Sequence, residues 1–131
     1  MTATAPAAER DAGQTLAYRM AMMLIGIGVT HFVAPKPFDS IVPVELPGSQ
    51  RFYTYASGAA EIGTGALLLA RGTRRLGALV AAALFVAVFP GNANMVRLWW
   101  DRPWPMRLVA LARLPLQIPM VTMALKIRRT A

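Results

Sequence analysis

Leu76 to Val96, LGALVAAALFVAVFPGNANMV, runs for 21 residues without one charged side chain. At 1.5 Å per residue a helix of that length measures about 32 Å, enough to cross the hydrocarbon core of a bilayer. A soluble domain of only 131 residues offers no interior in which such a helix could be buried all round. Three more apolar runs accompany it: Leu16–Ala34, charged only at Arg19; Tyr53–Ala70, charged only at Glu61; and Leu108–Leu125, charged only at Arg113. The chain is 56% hydrophobic and 15% charged, against about 45–50% and about 25% in soluble domains. The predicted fold is therefore all-α, a transmembrane four-helix bundle with helices at about 16–34, 53–70, 76–98 and 106–126.

The segments between the runs set the topology. An even number of spans places both termini on one side, together with the link Arg71-Gly72-Thr73-Arg74-Arg75. That side gathers eight basic residues (Arg10, Arg19, Arg71, Arg74, Arg75, Lys126, Arg128, Arg129), against five on the other (Lys36, Arg51, Arg97, Arg102, Arg107). Basic residues concentrate on the cytoplasmic side of membrane proteins, so both termini are predicted cytoplasmic. Tyr53, Tyr55, Trp99, Trp100 and Trp104 fall at the opposite boundary, where an aromatic belt belongs. Residues 1–15 read as a mobile tail and residues 128–131 as a short basic tail. A cleaved signal peptide is disfavoured, because Leu16–Ala34 exceeds the usual apolar core and His31-Phe32-Val33-Ala34-Pro35 is a poor cleavage site. Residues 35–50 carry Pro35, Pro37, Pro43 and Pro47 among Phe38, Ile41, Val42, Val44 and Leu46. Such a stiff, apolar loop should lie back on the mouth of the bundle as a short turn or cap.

A net charge of +8 would suit nucleic acid, but the basic residues sit between apolar runs and not on one amphipathic face, so no nucleic-acid partner is expected. There is no cysteine, which excludes dithiol chemistry and thiolate-held iron–sulfur clusters. One histidine and no cysteine also argue against a metal centre, and the eight methionines read as core and lipid-facing filler. Twelve Arg to two Lys and abundant Ala suggest a bacterial source, hence the bacterial inner membrane.

The polar residues within the runs share a depth. Counted from the outer helix ends at ~1.5 Å per residue, Glu61 lies about 12 Å in and Arg113 about 10 Å, with Gln117 one turn deeper. Asn92 and Asn94 lie about 9 and 6 Å in, and His31 stands three residues from the end of the first helix. A carboxylate near mid-membrane costs roughly 2.5–3.5 kcal/mol unless it finds a partner, a proton or water. Glu61 and Arg113 are the opposite charges at matching depth, so they are predicted to pair, with Asn92, Asn94, Gln117 and His31 taking the remaining hydrogen bonds. His31 lies near enough to the interface to be solvated instead. The layer would serve equally as a lock that fixes helix order or as a functional site. Pro90 frees the carbonyl of Val86, and Pro115 and Pro119 are expected to interrupt the last helix around Gln117. Ala59–Gly63 and Ala83–Ala87–Gly91 place small residues four apart and would allow close helix contact.

Together these residues make a recognisable pattern. His31-Phe32, Pro35, Phe38, Ile41-Val42-Pro43 and Leu46-Pro47 resemble the start of DoxX-family membrane proteins. So do Ser57-Gly58 with Glu61, Val88-Phe89-Pro90 followed by Asn92 and Met95, and Arg113-Leu114-Pro115-Leu116-Gln117. The similarity runs from about residue 20 to 125 and departs at Gly91, where relatives often carry Ala. It implies a four-helix membrane bundle, and for some members a role as a small subunit beside quinone- or sulfur-linked redox complexes.

The expected function is thus an accessory subunit of a membrane redox system with a buried Glu–Arg site. It would have a quinone or lipid as candidate ligand, the bilayer, redox proteins and further copies of itself as candidate partners, and no evident cofactor of its own. A small transporter or proton-linked carrier, and a purely structural membrane protein, are the alternatives. An independent enzyme is least supported, since no nucleophile–base pair, phosphate loop or metal motif is present.

Overall fold

The computed structural model describes residues 6–131. Its elements, in order, are α1 (Ala7–Val33), α2 (Pro35–Asp39), α3 (Gln50–Leu69), α4 (Arg74–Ala87), α5 (Phe89–Trp99) and α6 (Trp104–Thr130), with no strand among the described residues. Helices α1 and α6, and α4 with α5 taken together as Arg74–Trp99, are long and apolar enough to cross a membrane. Helix α3, expected as the fourth span, is 20 residues long but is not among these three. The reason lies in its composition: Thr54, Glu61 and Thr64 interrupt the apolar run and are turned inward and buried.

The helices pack as a closed ring, α1 on α3, α3 on α4, α4 on α6 and α6 on α1. Helix α5 continues along α6, and the short α2 rests on α3 and α1. The α1–α3 seam is made by glycines. A Cβ on Gly28 would stand 2.8 Å from the carbonyl oxygen of Gly58, and one on Gly65 would stand 3.0 Å from that of Ala21. Two backbones in such contact leave no room for side chains between them. At the other side of α3, a Cβ on Gly77 would stand 2.9 Å from the amide nitrogen of Leu68.

The apolar core fills one half of the ring, the half nearer the chain ends. Ala17, Met20, Ala21 and Leu24 of α1 meet Leu68, then Ala78, Ala81, Ala82 and Phe85, then Ala124 and Ile127 of α6. Facing outward are Met22, Val29, Leu76, Leu79, Val86, Leu116 and Ile118, all exposed, a surface suited to lipid contact and costly in water.

Several boundaries differ from expectation. Helix α1 starts at Ala7, not at residue 16, because Ala7-Ala8-Glu9-Arg10 favours helix and Gly13 is buried against Thr130 at the end of α6. The expected tail keeps only residues outside helix α1, of which 1–5 lie outside the described residues. For the same reason 128–131 is no free tail: α6 runs to Thr130, which is 5% exposed. The span expected over 76–98 is split at Val88, since Pro90, in the first turn of α5, has no N–H to offer the preceding turn. Pro115 and Pro119, expected to interrupt α6, do not: the helix continues through both. Each proline removes a single donor, and the flanking hydrogen bonds of a 27-residue helix hold the register.

Candidate functional site

The opposite half of the ring holds a cavity of about 550 Å³. A bulk water occupies about 30 Å³, so the space far exceeds what one bridging water needs and falls within the range of small-molecule sites. Its wall is mostly apolar, with Ile27, Phe38, Ile41, Val42, Leu46 and Leu84 among the lining residues. Against this wall stand His31, Thr54, Glu61, Asn92 and Arg113.

Glu61 is 8% exposed, and its Oε2 accepts no hydrogen bond. The basic side chain nearest to it is His31, whose Nδ1 lies 3.5 Å from that oxygen. The same Nδ1 lies 2.7 Å from the carbonyl of Ile27, so it carries the ring proton and donates it to the backbone. The glycine seam sets this geometry. Gly28 and Gly58 bring α1 and α3 into contact, and His31 and Glu61 each stand one turn beyond on the facing sides. Phe38 stacks on the His31 ring with centroids 3.8 Å apart, which holds the imidazole in place from the side of α2. His31 is therefore buried at 6% exposure and not solvated.

The predicted pair of Glu61 with Arg113 does not form. Arg113 lines the same cavity, but its Nη1 donates to the sulfur of Met95 at 2.8 Å. The physical reason is the order of the ring: α3 neighbours α1 and α4, while α6 lies across from it. A helix across the ring is farther away than a neighbour, so His31 reaches the carboxylate and Arg113 does not. Met95 is thereby a hydrogen-bond acceptor and not mere filler.

The remaining predicted polar residues divide. Asn92 is buried and lines the cavity. Asn94 is buried outside it and donates to the carbonyl of Ile41 at 2.9 Å. Gln117 donates to the carbonyl of Phe85 at 2.5 Å, satisfying one of the last carbonyls of α4 where that helix breaks. The prolines likewise divide, since Pro90 lines the cavity and Pro115 and Pro119 do not.

Sequence reading missed the polar clasp over the cavity mouth. Asp39 of α2 accepts from the Thr54 hydroxyl at 2.5 Å and from Arg51 Nε at 2.8 Å. The Thr54 hydrogen bond first, then Arg51, holds the Asp39 carboxyl below its usual value. Arg97 pairs with Glu45 at 3.0 Å and lowers that carboxyl too. Gln50 donates to the carbonyl of Val42 at 2.8 Å, and the Tyr53 hydroxyl donates to that of Pro47. The proline-rich loop is thus pinned at several points, as a cap must be. The two acids of the loop, Asp39 and Glu45, were the available signal. Arg74, counted above as a topology charge, is buried and donates to the carbonyls of Leu68 and Leu69 at 2.8 and 3.1 Å. It caps the end of α3, where a cation also meets the negative end of the helix dipole.

Fold and site together define a class: an all-helical protein with three membrane-length helices and a capped, ligand-sized, mostly apolar cavity with a few polar groups set into its wall. Within that class the chain belongs to the DUF8561 family, a domain of unknown function whose family model matches residues 20–128. No curated protein and no solved structure matches it.

Proposed function

We propose that this chain is a DoxX-like integral membrane protein of the bacterial inner membrane, a four-helix bundle whose fourth span is α3, with both termini cytoplasmic. In this reading the cavity binds a quinone-like amphipath, and the protein serves as an accessory subunit of a membrane redox system. The observation that carries it is Glu61 Oε2, which stands on the wall of an apolar, ligand-sized cavity and accepts no hydrogen bond among the described residues. A buried polar atom without a partner is costly, and a ligand able to satisfy it gains accordingly. A quinone-type head has carbonyl oxygens for the donors of Arg113 and Asn92, and in its reduced form a hydroxyl for Glu61. The expected DoxX resemblance and the eight-to-five charge bias support the topology.

The reading is tested by isolating the protein from native membranes in lipid nanodiscs and extracting its bound lipids for mass spectrometry. Quinone should be recovered with wild type and depleted at least tenfold with Glu61→Gln. Recovery that is equal for both, or no quinone and no partner protein at all, rejects it. Reporter fusions at each terminus test the orientation.

A second reading, a proton-linked carrier, is favoured by the same carboxylate together with the helix break at Val88 beside the cavity. It requires solute flux into liposomes that Glu61→Gln abolishes; equal flux with both proteins removes it.

A further inference from the structure

The cavity has a closed side and an open one. On the loop side, Phe38, Ile41, Val42, Pro43 and Leu46 cover it. That cover is held to α3 through Asp39–Thr54, Asp39–Arg51 and Gln50–Val42, and to α5 through Asn94–Ile41 and Glu45–Arg97. The lateral side between α3 and the α4–α5 break is built differently. Ala56 and Ala60 of α3 and Ala87 of α4 line the cavity yet are exposed, whereas Glu61 and Asn92 on the same wall are buried. Gly91 completes this rim, and a Cβ placed on it would meet nothing nearer than the Ile41 carbonyl, at 3.9 Å. The break at Val88 explains the gap: α4 packs on α3, but beyond it α5 follows α6, with no packed face against α3 among the described residues. Next to this rim, Ala59 and Gly63 form the exposed outer face of α3, the face that would meet lipid.

We infer that the cavity is loaded sideways, from within the bilayer, through a portal framed by Ala56, Ala60, Ala87 and Gly91, and that its ligand is a single-chain amphipath. The compact polar head sits at Glu61, Asn92 and Arg113, and the chain leaves through the small-residue portal into lipid. Among the described residues Arg113 makes no ion pair, so the head presents an acceptor oxygen to Arg113 and a hydroxyl that can donate to Glu61 Oε2. Small residues frame the opening because an alkyl chain needs a slot that larger side chains would fill. The inference rests on the ligand-binding reading above but not on the ligand's being a quinone.

The experiment uses the full chain in nanodiscs and two photoreactive probes with a diazirine in the alkyl chain, one a fatty acid and one a decyl-benzoquinone. At least one probe should label the segments around Ser57 and Leu84, as mapped by peptide mass spectrometry. Ala60→Trp and, independently, Ala56→Trp should reduce that labelling at least fivefold, while Ala59→Trp on the outer face of α3 should not. Monodisperse elution and an unchanged helical spectrum show that each variant folds. Bridging Glu45→Cys and Arg97→Cys with a bis-maleimide, in a chain that has no other cysteine, should leave labelling intact. Failure of both probes to label wild type, equal labelling of wild type and both rim variants, or loss of labelling when the loop is bridged would each overturn the portal. Labelling by the fatty acid but not by the quinone leaves the portal standing and overturns the quinone reading alone.

Discussion

His31 Nδ1 lies 3.5 Å from Glu61 Oε2 and 2.7 Å from the carbonyl of Ile27. One imidazole N–H therefore faces both a backbone acceptor and a carboxylate, and the carboxylate keeps an oxygen without a hydrogen bond. Asn94 Oδ1 and Gln117 Oε1 are buried without a partner as well, but of the three residues only Glu61 lines the cavity.

Replacing Glu61 separates stability from function. Glu61→Gln replaces a buried carboxyl with a neutral amide and should stabilise the fold by about 1–3 kcal/mol while weakening ligand binding. Thermal unfolding in nanodiscs, read alongside ligand retention, checks both. A destabilised Glu61→Gln protein would mark the dyad as a structural lock.

The glycines of the α1–α3 seam should not be interchangeable with those outside it. Gly28→Ala places a Cβ 2.8 Å from the Gly58 oxygen, so it should cost about 1–3 kcal/mol and disturb the His31–Glu61 contact. Gly63→Ala meets nothing within 4 Å and should gain up to about 1 kcal/mol from helix propensity. Matched unfolding curves test the contrast, and equal effects at the two positions would contradict the seam.

The two helix-end caps should be worth more than their exposure in sequence suggests. Gln117→Leu leaves the carbonyl of Phe85 without its side-chain donor, a loss of about 1–2 kcal/mol. Arg74→Ala uncovers two carbonyls of α3 and should cost about 2–4 kcal/mol. Arg74→Lys should recover only part of it, because an ammonium lacks the planar fork that reaches both oxygens. Denaturation midpoints decide; full rescue by lysine would reduce the role of Arg74 to its charge.

The loop clasp should loosen in acid. The Asp39 carboxyl is held below its usual 3.8 by the Thr54 hydroxyl and Arg51. A carboxyl whose folded value is depressed contributes stability that is complete at neutral pH and disappears as pH falls through that value. Hydrogen-exchange protection of residues 36–46, taken relative to the intrinsic rate at each pH, should therefore fall below about pH 4. Thr54→Val removes the larger cause and should move the onset to higher pH. An onset that does not move assigns the clasp to Arg51 and the loop's other contacts.

Much of this molecule can be read along the chain, and the readable part is what depends on one helix at a time. Apolar length marked the helices, Pro90 marked a kink that the structure makes a full break at Val88, and the prolines with Ile41, Val42 and Leu46 marked a loop that folds back. Depth counting at ~1.5 Å per residue put Glu61, Asn92, Asn94, Arg113, Gln117 and His31 in one half of the bundle; His31, Glu61, Asn92 and Arg113 line one cavity, and Asn94 and Gln117 do not. Depth along an axis says nothing about position around a ring. Which residue meets Glu61 was decided by the packing order, with α1 beside α3 and α6 across from it. The glycine seam then brought His31 into contact and left Arg113 to Met95. The ends of α1 and α6 followed the same logic, since Gly13 and Thr130 are helical and buried because they face each other. Sequence by itself determined that Glu61 had to be accommodated inside a helical, apolar assembly, because the cost of a carboxylate there is a property of one side chain and its medium. Only the tertiary structure decided that it is accommodated by a histidine and an open cavity, because contact between helices depends on which backbones can approach closely enough to touch.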